Sequence, residues 1–445
     1  LSPPARQLGL LTCVALVVGN IVGSGIFLLP ASLAPFGLAN NVLAWLLSSV
    51  GALLLAYALS VLARAMPAAG GPYAYTHAAF GPLTAFIVIW GYWISIWVAN
   101  AAIATGATSY LSTLLPEFFG IRGVPTLFTL ALVWFFTYVS WRGVTAAGRV
   151  QTVTTVLKLL PLIAIGLIGY FHATAARVAA ASQVPLSAGG TTAAAALTFY
   201  ALIGFESACV PDGKVKDPQR TIPRATLLGT VVTTLLCTLS ATAVIVLVPP
   251  DALAQSNAPF ADAARALWGN GGSLFVTACA AISCVGALNG WTLLQGEVPA
   301  VMAQNGVFPR AFAQMSPRHT PTFALVLTST LVSLLVLLTA SGSRSLVSIF
   351  TFMTLLSTTA CVVMYAACAA ALLRLNATAR LGSRPPRQRG LALIGVLGLA
   401  FSAWFIVGAG WDAALWGFAL LGAGVPVYWF MRRGSPAAAA AQHPP

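Results

Sequence analysis

The sequence predicts an all-α polytopic membrane protein with twelve transmembrane helices, and three observations carry that expectation. Of 445 residues, 59% are apolar and 7% charged, against about 25% charged in ordinary soluble domains. So few charges cannot cover the surface of a water-soluble protein of 46.0 kDa. The apolar residues cluster in runs long enough to cross a bilayer, which takes about 20 mainly apolar residues. The basic residues fall between those runs, on alternate sides. The same composition excludes a disordered chain, and neither a collagen repeat nor a disulfide-framework spacing is present.

In order, the spans are expected near 10–34, 41–64, 82–112, 125–141, 151–171, 191–211, 225–248, 273–298, 322–340, 346–373, 391–409 and 413–431. The connections are mostly short, and none is long enough for a soluble domain. The first apolar stretch contains a Gly-rich break and lacks a small-residue cleavage site, so no removed signal peptide is expected. The chain opens at Leu1 rather than Met, so a few initial residues are expected to precede it. The tail, 432–445, reads as disordered.

Lys plus Arg number 22 and Asp plus Glu 8, a net charge of +14. In a soluble protein that balance would suggest nucleic acid. Here it follows the positive-inside rule, and no nucleic-acid partner is expected. Seventeen bases, from Arg6 and Arg64 to Arg432 and Arg433, fall in even-numbered loops and at the termini. Odd-numbered loops carry only Arg122, Arg177, Arg265 and Arg344. Both termini are therefore expected in the cytoplasm, with the chain in the cell (inner) membrane. The seven cysteines lie within apolar segments without a CxxC spacing, which makes them packing residues rather than metal ligands. No metal or cofactor is expected.

Two spans carry internal breaks. The first reads Gly19-Asn20-Ile21-Val22-Gly23-Ser24-Gly25-Ile26-Phe27, and the sixth carries Ile203-Gly204-Phe205-Glu206. Five spans separate them, so the breaks occupy corresponding positions in two halves. Interrupted helices at matching positions point to a transport site at a repeat interface, and an odd number of spans per repeat makes the repeats inverted. The repeats would run over about 10–171 and 191–373.

A broken helix frees backbone groups. At Val22, Gly23, Ser24 and Gly25 the N–H groups at the positive end of a half-helix can hold a carboxylate. The Ser24 hydroxyl adds a donor. Freed carbonyls near Tyr200, Ala201 and Ile203 would accept from an ammonium, completing a clamp for an α-amino acid. A carboxylate at the bilayer centre costs about 2.5–3.5 kcal/mol on insertion scales, so Glu206 is expected to face a cavity and a partner. Lys158 is the second intramembrane charge. It either snorkels toward the cytoplasmic surface or acts as a fixed cation pinning the unwound part of the first span.

Among the mid-span aromatics Tyr92, Trp93, Trp97, Tyr200 and Trp291, Tyr200 and Trp291 are the candidates to meet a cationic substrate. Asn20 and Asn100 are buried amides able to bind substrate or to link helices. Glu206, Lys158 and Tyr92 are the candidates for coupling and gating. Asp212, Asp217 and Glu297 read as structural ion-pair partners, and His77 and His319 as loop residues. No Walker loop, HExxH, nucleophile elbow or dinucleotide fingerprint is present, so neither ATP-driven pumping nor enzymatic catalysis has residues to carry it.

The stretches GNIVGSGIFLLP (19–30), GGPYAY (70–75), IGFES (203–207), VKDPQRTIPRAT (215–226) and GWTLL (290–294) resemble the amino acid–polyamine–organocation superfamily. Within it the chain is similar to the basic amino acid/polyamine antiporters, the bacterial arginine:agmatine and putrescine:ornithine exchangers among them. The resemblance implies a LeuT-type fold with 5+5 inverted repeats and broken helices one and six. The transport core would span 1–373, with two additional helices over 391–431. It also implies obligate exchange by alternating access, frequently in a homodimer within the lipid bilayer. Carried onto this chain, the carboxylate-binding segment is Ser24 and Gly25 with Asn20 nearby. Third-span contacts fall at Ser95, Ile96 and Asn100, and sixth-span contacts at Tyr200, Ala201, Ile203 and Glu206. The eighth-span aromatic falls at Trp291. The chain departs from the arginine exchangers where Tyr200 replaces a tryptophan and where Ala201 and Ile96 replace small or polar residues. Their tenth-span serine has no direct match, the region Leu355-Leu356-Ser357 being shifted by a residue or two, and Lys158 resembles a lysine of proton-coupled relatives.

The sequence thus reads as an exchanger of cationic amino acids and their decarboxylated amines. The alternatives are a neutral or broad-range amino acid exchanger or a proton symporter using Lys158, and a non-transporting receptor.

Overall fold

The computed structural model describes residues 9–66, 71–142, 157–206, 217–317, 320–340, 345–378, 381 and 388–433. Of the tail expected over 432–445, Arg432 and Arg433 instead close the last helix, and 434–445 lie outside the described residues, as do Asp212, His319 and most of Arg380–Arg389. Within the described residues the chain is helical. The helices are α1 (Leu10–Ile21), α2 (Ser24–Leu33), α3 (Gly37–Ala65), α4 (Pro72–Phe80), α5 (Pro82–Ser112), α6 (Pro116–Phe119) and α7 (Val124–Arg142). There follow α8 (Leu157–His172), closed by a 3-10 turn, and α9 (Ala175–Ala181), bent away from it by 112°. The series continues with α10 (Ala188–Tyr200), α11 (Pro218–Leu247), α12 (Pro250–Ala254), α13 (Pro259–Gln304) and α14 (Thr322–Ala340). It ends with α15 (Leu346–Ala377), α16 (Arg389–Gly408), α17 (Gly410–Gly422) and α18 (Gly424–Arg433).

Nine of the described helical runs are long and apolar enough to cross a membrane, or ten if α8 and α9 form one bent span. This is a multi-pass membrane protein. The third and ninth expected spans coincide with α5 and α14, since Pro82 at N1 and the polar breaks around 321 and 341 end each run sharply. The eighth begins earlier than expected. In α13, a stretch from Pro259 turns at Gly269 (φ 69°, ψ −161°) before the span proper. Short helices α4 and α9 occupy loops in which no helix was expected; His77 lies on α4.

Packing separates into two groups. In one, α3 packs along α10 and α11, and α11 along α1; in the other, α5 packs along α7, α13 and α14. The long α15 lies against α5 and α16, while α2 touches members of both groups. Burial ranks the spans: 83% of the apolar window of α5 is buried, against 28% for α7 and α16. Helix α5 is the central post, and the others show apolar flanks to lipid. In a bilayer such flanks gain nothing by burial, so association relies on close packing and interhelical hydrogen bonds. Asn40 supplies several of these. Its Oδ1 accepts from the Ser187 N–H (2.9 Å) and the Thr191 hydroxyl (3.0 Å), and its Nδ2 donates to the Pro185 carbonyl (3.0 Å). One amide thus fixes the start of α10 against α3. At the other side of the core, Tyr110 of α5 donates to the Phe27 carbonyl (2.7 Å) and accepts from the Phe260 N–H (3.3 Å), which holds α2 in place.

Candidate functional site

The first span is broken. Helix α1 ends at Ile21, Val22 (φ −74°, ψ 89°) and Gly23 (φ −115°, ψ −151°) leave the helical region, and α2 begins at Ser24. The Gly23 N–H bonds back to the Ile21 carbonyl (2.9 Å) instead of one four residues earlier. The ladder is cut there. Each new helix end carries backbone groups without intrahelical partners, so α1 turns a negative end and α2 a positive end toward the gap.

The sixth span also stops, at Tyr200, and continues as turns over Ala201–Gly204 and a 3-10 step at Phe205–Glu206. The stretch 207–216 lies outside the described residues. Gly204 has φ +123°, and a Cβ there would lie 3.2 Å from the Asn20 carbonyl and the Ile21 nitrogen. The two unwound segments therefore cross backbone to backbone, an approach that only glycine permits. Gly204→Ala forces either a strained backbone, at about 1–3 kcal/mol, or separation of the segments. The expected result is lost transport with a lowered melting temperature, checked by vesicle exchange and a thermal melt.

Lys158, 1% exposed on α8, donates to the Gly19 carbonyl. It does not snorkel. Gly19 lies in the last turn of α1, so the ammonium satisfies a carbonyl orphaned by the break and sits at the negative helix end.

Between the breaks lies a cavity of about 30 Å³ lined by Asn20, Ile21, Gly23, Gly25, Ser95, Ala99, Ile103, Tyr200, Ala201, Ile203, Trp291 and Ser357. That is room for a water molecule or two, so the walls must part to admit an amino acid. The start of α2 and the end of α10 both border it, opposite helix poles on one space. A Cβ on Gly25 would lie 3.0 Å from the Tyr200 ring, so the glycine brings that ring against the α2 backbone. Tyr200 of the cavity lining meets Phe350 edge-on (6.3 Å), and a Ser32–Thr351 hydrogen bond (2.7 Å) joins α2 to α15.

Of the sequence candidates, Asn20, Gly23, Gly25, Ser95, Tyr200, Ala201, Ile203 and Trp291 meet at this cavity. Val22 and Ile96 are buried in the core and do not line it. The Ser24 side chain lies outside the described residues. Asn100 turns away, donating to Gln295 Oε1 (2.6 Å), whose Nε2 donates to Ser329 (2.9 Å). It links α5 to α13 and α14. Trp93 joins the same layer by donating to the Gln295 carbonyl (3.3 Å).

Glu206 does not border the cavity either. It is 2% exposed and accepts from the Gly204 N–H (3.1 Å), Tyr365 (2.5 Å) and Tyr92 (3.3 Å). The expected partner exists, but it is a pair of tyrosines on α15 and α5, and the acid ties the unwound segment to both. Tyr365, Gln295, Ala99 and Ile103 escaped the sequence reading. Ala99 and Ile103 were findable, because 95, 99 and 103 recur at i, i+4 and i+8 on one helix face. Ile96 and Asn100 lie one position further round.

A membrane protein, helical throughout its described residues, with a cavity between two interrupted helices has the architecture of a secondary transporter. A model of the amino acid permease family matches residues 8–426, and the chain belongs to that family, within the amino acid–polyamine–organocation superfamily. The chain is 34% identical over 348 residues to a cadaverine/lysine antiporter of Escherichia coli (strain K12), covering 76% of each protein. It is 29% identical over 447 residues to an arginine/agmatine antiporter of Chlamydia trachomatis serovar L2, covering 96% of this chain and 90% of the relative. It is a transporter, not an enzyme.

Proposed function

We propose that this chain exchanges cationic amino acids for their decarboxylated amines across the cell (inner) membrane by alternating access. The observation that carries the reading is the pair of opposite helix poles bordering one cavity. The start of α2 offers N–H groups to a carboxylate, and the end of α10 offers carbonyls to an ammonium. Lys158 occupies the remaining negative pole, that of α1, and leaves the α10 pole to the substrate. Trp291 and Tyr200 present aromatic faces to a distal positive group. The relatives named above, both antiporters of a basic amino acid and an amine, support the substrate class.

The reading includes twelve spans in two inverted repeats, about 10–171 and 191–373, followed by the pair over 391–431. The run Cys13–Ala65 holds two of these spans, and the shorter α8 and α10 with their breaks complete the number. Both termini face the cytoplasm by the Lys/Arg asymmetry, and the working unit is a homodimer. On the outer side lies a cavity of about 650 Å³ bordered by Ser32, Thr351 and Asp412, and the Tyr200–Phe350 contact is the closing element there. On the inner side Glu206, Tyr92 and Tyr365 close the path. Substrate binding stabilises the closed state from either side, so loaded carriers cross faster than empty ones.

A competition panel of amino acids and matching amines against labelled substrate in reconstituted vesicles tests the proposal. Cationic amino acids and their amines are expected to compete, and uptake to require substrate inside. Competition by neutral amino acids alone would overturn it. A second reading, a proton-coupled or neutral amino acid carrier, is favoured by one observation, the buried Lys158 at the break. Uptake into unloaded vesicles driven by a pH gradient and silenced by Lys158→Ala would select it.

A further inference from the structure

Apart from the central site, the molecule has a cavity of about 360 Å³ between the ends of α3, α11 and α16. Tyr57, Val61 and Arg64 of α3 line one wall, Leu227 of α11 a second, and Gln388 and Leu391 the third. Arg64 lies in the last turn of α3 and Tyr57 two turns deeper, about 10 Å at 1.5 Å per residue. Arg64 and Gln388 lie at the helix ends, and deeper in the cleft come Val61, Tyr57, Leu227 and the Ser60 hydroxyl, which is already bonded to the Ala56 carbonyl (2.7 Å). The groove opens to lipid. Tyr57 is 40% exposed, and Leu228 and Leu393, one and two residues beyond the lining positions, are 50% and 59% exposed.

Arg64 is exposed, and among the described residues no carboxylate reaches it. The acid at the start of α11, Asp217, pairs with Arg220 at 3.9 Å. Arg224 and Arg389 are exposed at the same helix ends, and the sequence from Arg374 to Arg389 holds five arginines and no acid. A cleft whose guanidinium meets no carboxylate among the described residues, with Val61, Leu227 and Leu391 deeper in it, fits an amphiphile with an anionic head. Basic pockets between transmembrane helices on the cytoplasmic side bind such headgroups.

We propose that this cleft is a binding site for an anionic phospholipid, its phosphate on Arg64 and an acyl chain along Val61, Leu227 and Leu391. The assignment to the inner leaflet rests on the orientation proposed above; binding itself does not. The purified full chain is mixed with micelles holding equal phosphatidylglycerol and phosphatidylcholine, and retained lipid is read by native mass spectrometry. Wild-type protein is expected to retain phosphatidylglycerol preferentially. Arg64→Gln is expected to lower its retention about fivefold, the equivalent of about 1 kcal/mol, with Arg64→Lys between the two. Leu227→Trp, which fills the deeper part of the cleft, lowers it while leaving the charge in place. A thermal melt like that of the wild type keeps each comparison valid. Equal retention of the two lipids by wild-type protein, or unchanged retention in Arg64→Gln and Leu227→Trp, overturns the proposal. Displacement of the lipid by soluble glycerol 3-phosphate would also overturn it, assigning the cleft to free phosphates. None of these readouts depends on the transported substrate.

Discussion

Glu206→Ala is expected to abolish exchange of cationic substrates in preloaded proteoliposomes, lowering the rate at least about 100-fold, or about 2.7 kcal/mol at 1.36 kcal/mol per tenfold. Three donors converge on this carboxylate: the Gly204 N–H, Tyr92 and Tyr365. Truncation removes the acceptor these buried donors share, and a buried donor left unsatisfied costs about 1–3 kcal/mol. They sit on the unwound sixth-span segment, α5 and α15, so the loss falls on the junction of those elements. Glu206→Gln separates charge from shape. The amide oxygen can still accept from Tyr365 and the Gly204 N–H, which share Oε2, but the NH₂ group then stands at the Oε1 position and faces the Tyr92 hydroxyl, which donated there. Near-normal melting with strongly reduced exchange is expected for this variant. Wild-type exchange in both variants would remove Glu206 from the transport machinery.

Lys158→Met is expected to slow exchange about 10- to 100-fold while the protein remains folded. The ammonium donates to the Gly19 carbonyl at the end of α1, and hydrogen bonds to charged groups contribute about 1.5–3 kcal/mol. Removing it leaves an unsatisfied carbonyl at the break and an unopposed helix pole beside the cavity. Against that loss stands relief from holding a buried cation, so global stability changes less than the balance among transport conformations. The measurement is paired: exchange rate in vesicles and melting temperature in detergent. A large fall in melting temperature with normal exchange would assign Lys158 to folding alone.

Much of the site was legible because broken helices announce themselves in composition. Gly-Ser-Gly in an apolar run, and Gly-Phe-Glu in the matching position, depart from what a lipid-spanning helix needs. Ser95 was legible through resemblance; Ala99 and Ile103 needed only its helical period. Glu206 was legible as a functional charge, but its partners were not. Tyr365 stands 159 residues away on α15, and nothing local to either residue marks the pair. Asn100 shows the same limit. An amide in an apolar span serves a ligand or a neighbouring helix equally well, and Gln295 of α13 settles which. The size of the cavity also lay beyond reach, since it depends on how closely Tyr200 approaches Gly25.

What the sequence determined by itself was the membrane class, the order and approximate place of the long apolar runs, and the places where two of them unwind. Those follow from local quantities: apolar run length, charge placement, and glycines that cannot hold a helix. What only the tertiary structure decided was which polar groups meet. Lys158 finds the Gly19 carbonyl, Glu206 finds two tyrosines, and Asn100 finds Gln295 rather than the cavity. In a bilayer core there is no water to serve a polar group, so a partner has to come from the protein. The identity of that partner depends on how helices far apart in the chain rotate and cross, which no single segment encodes.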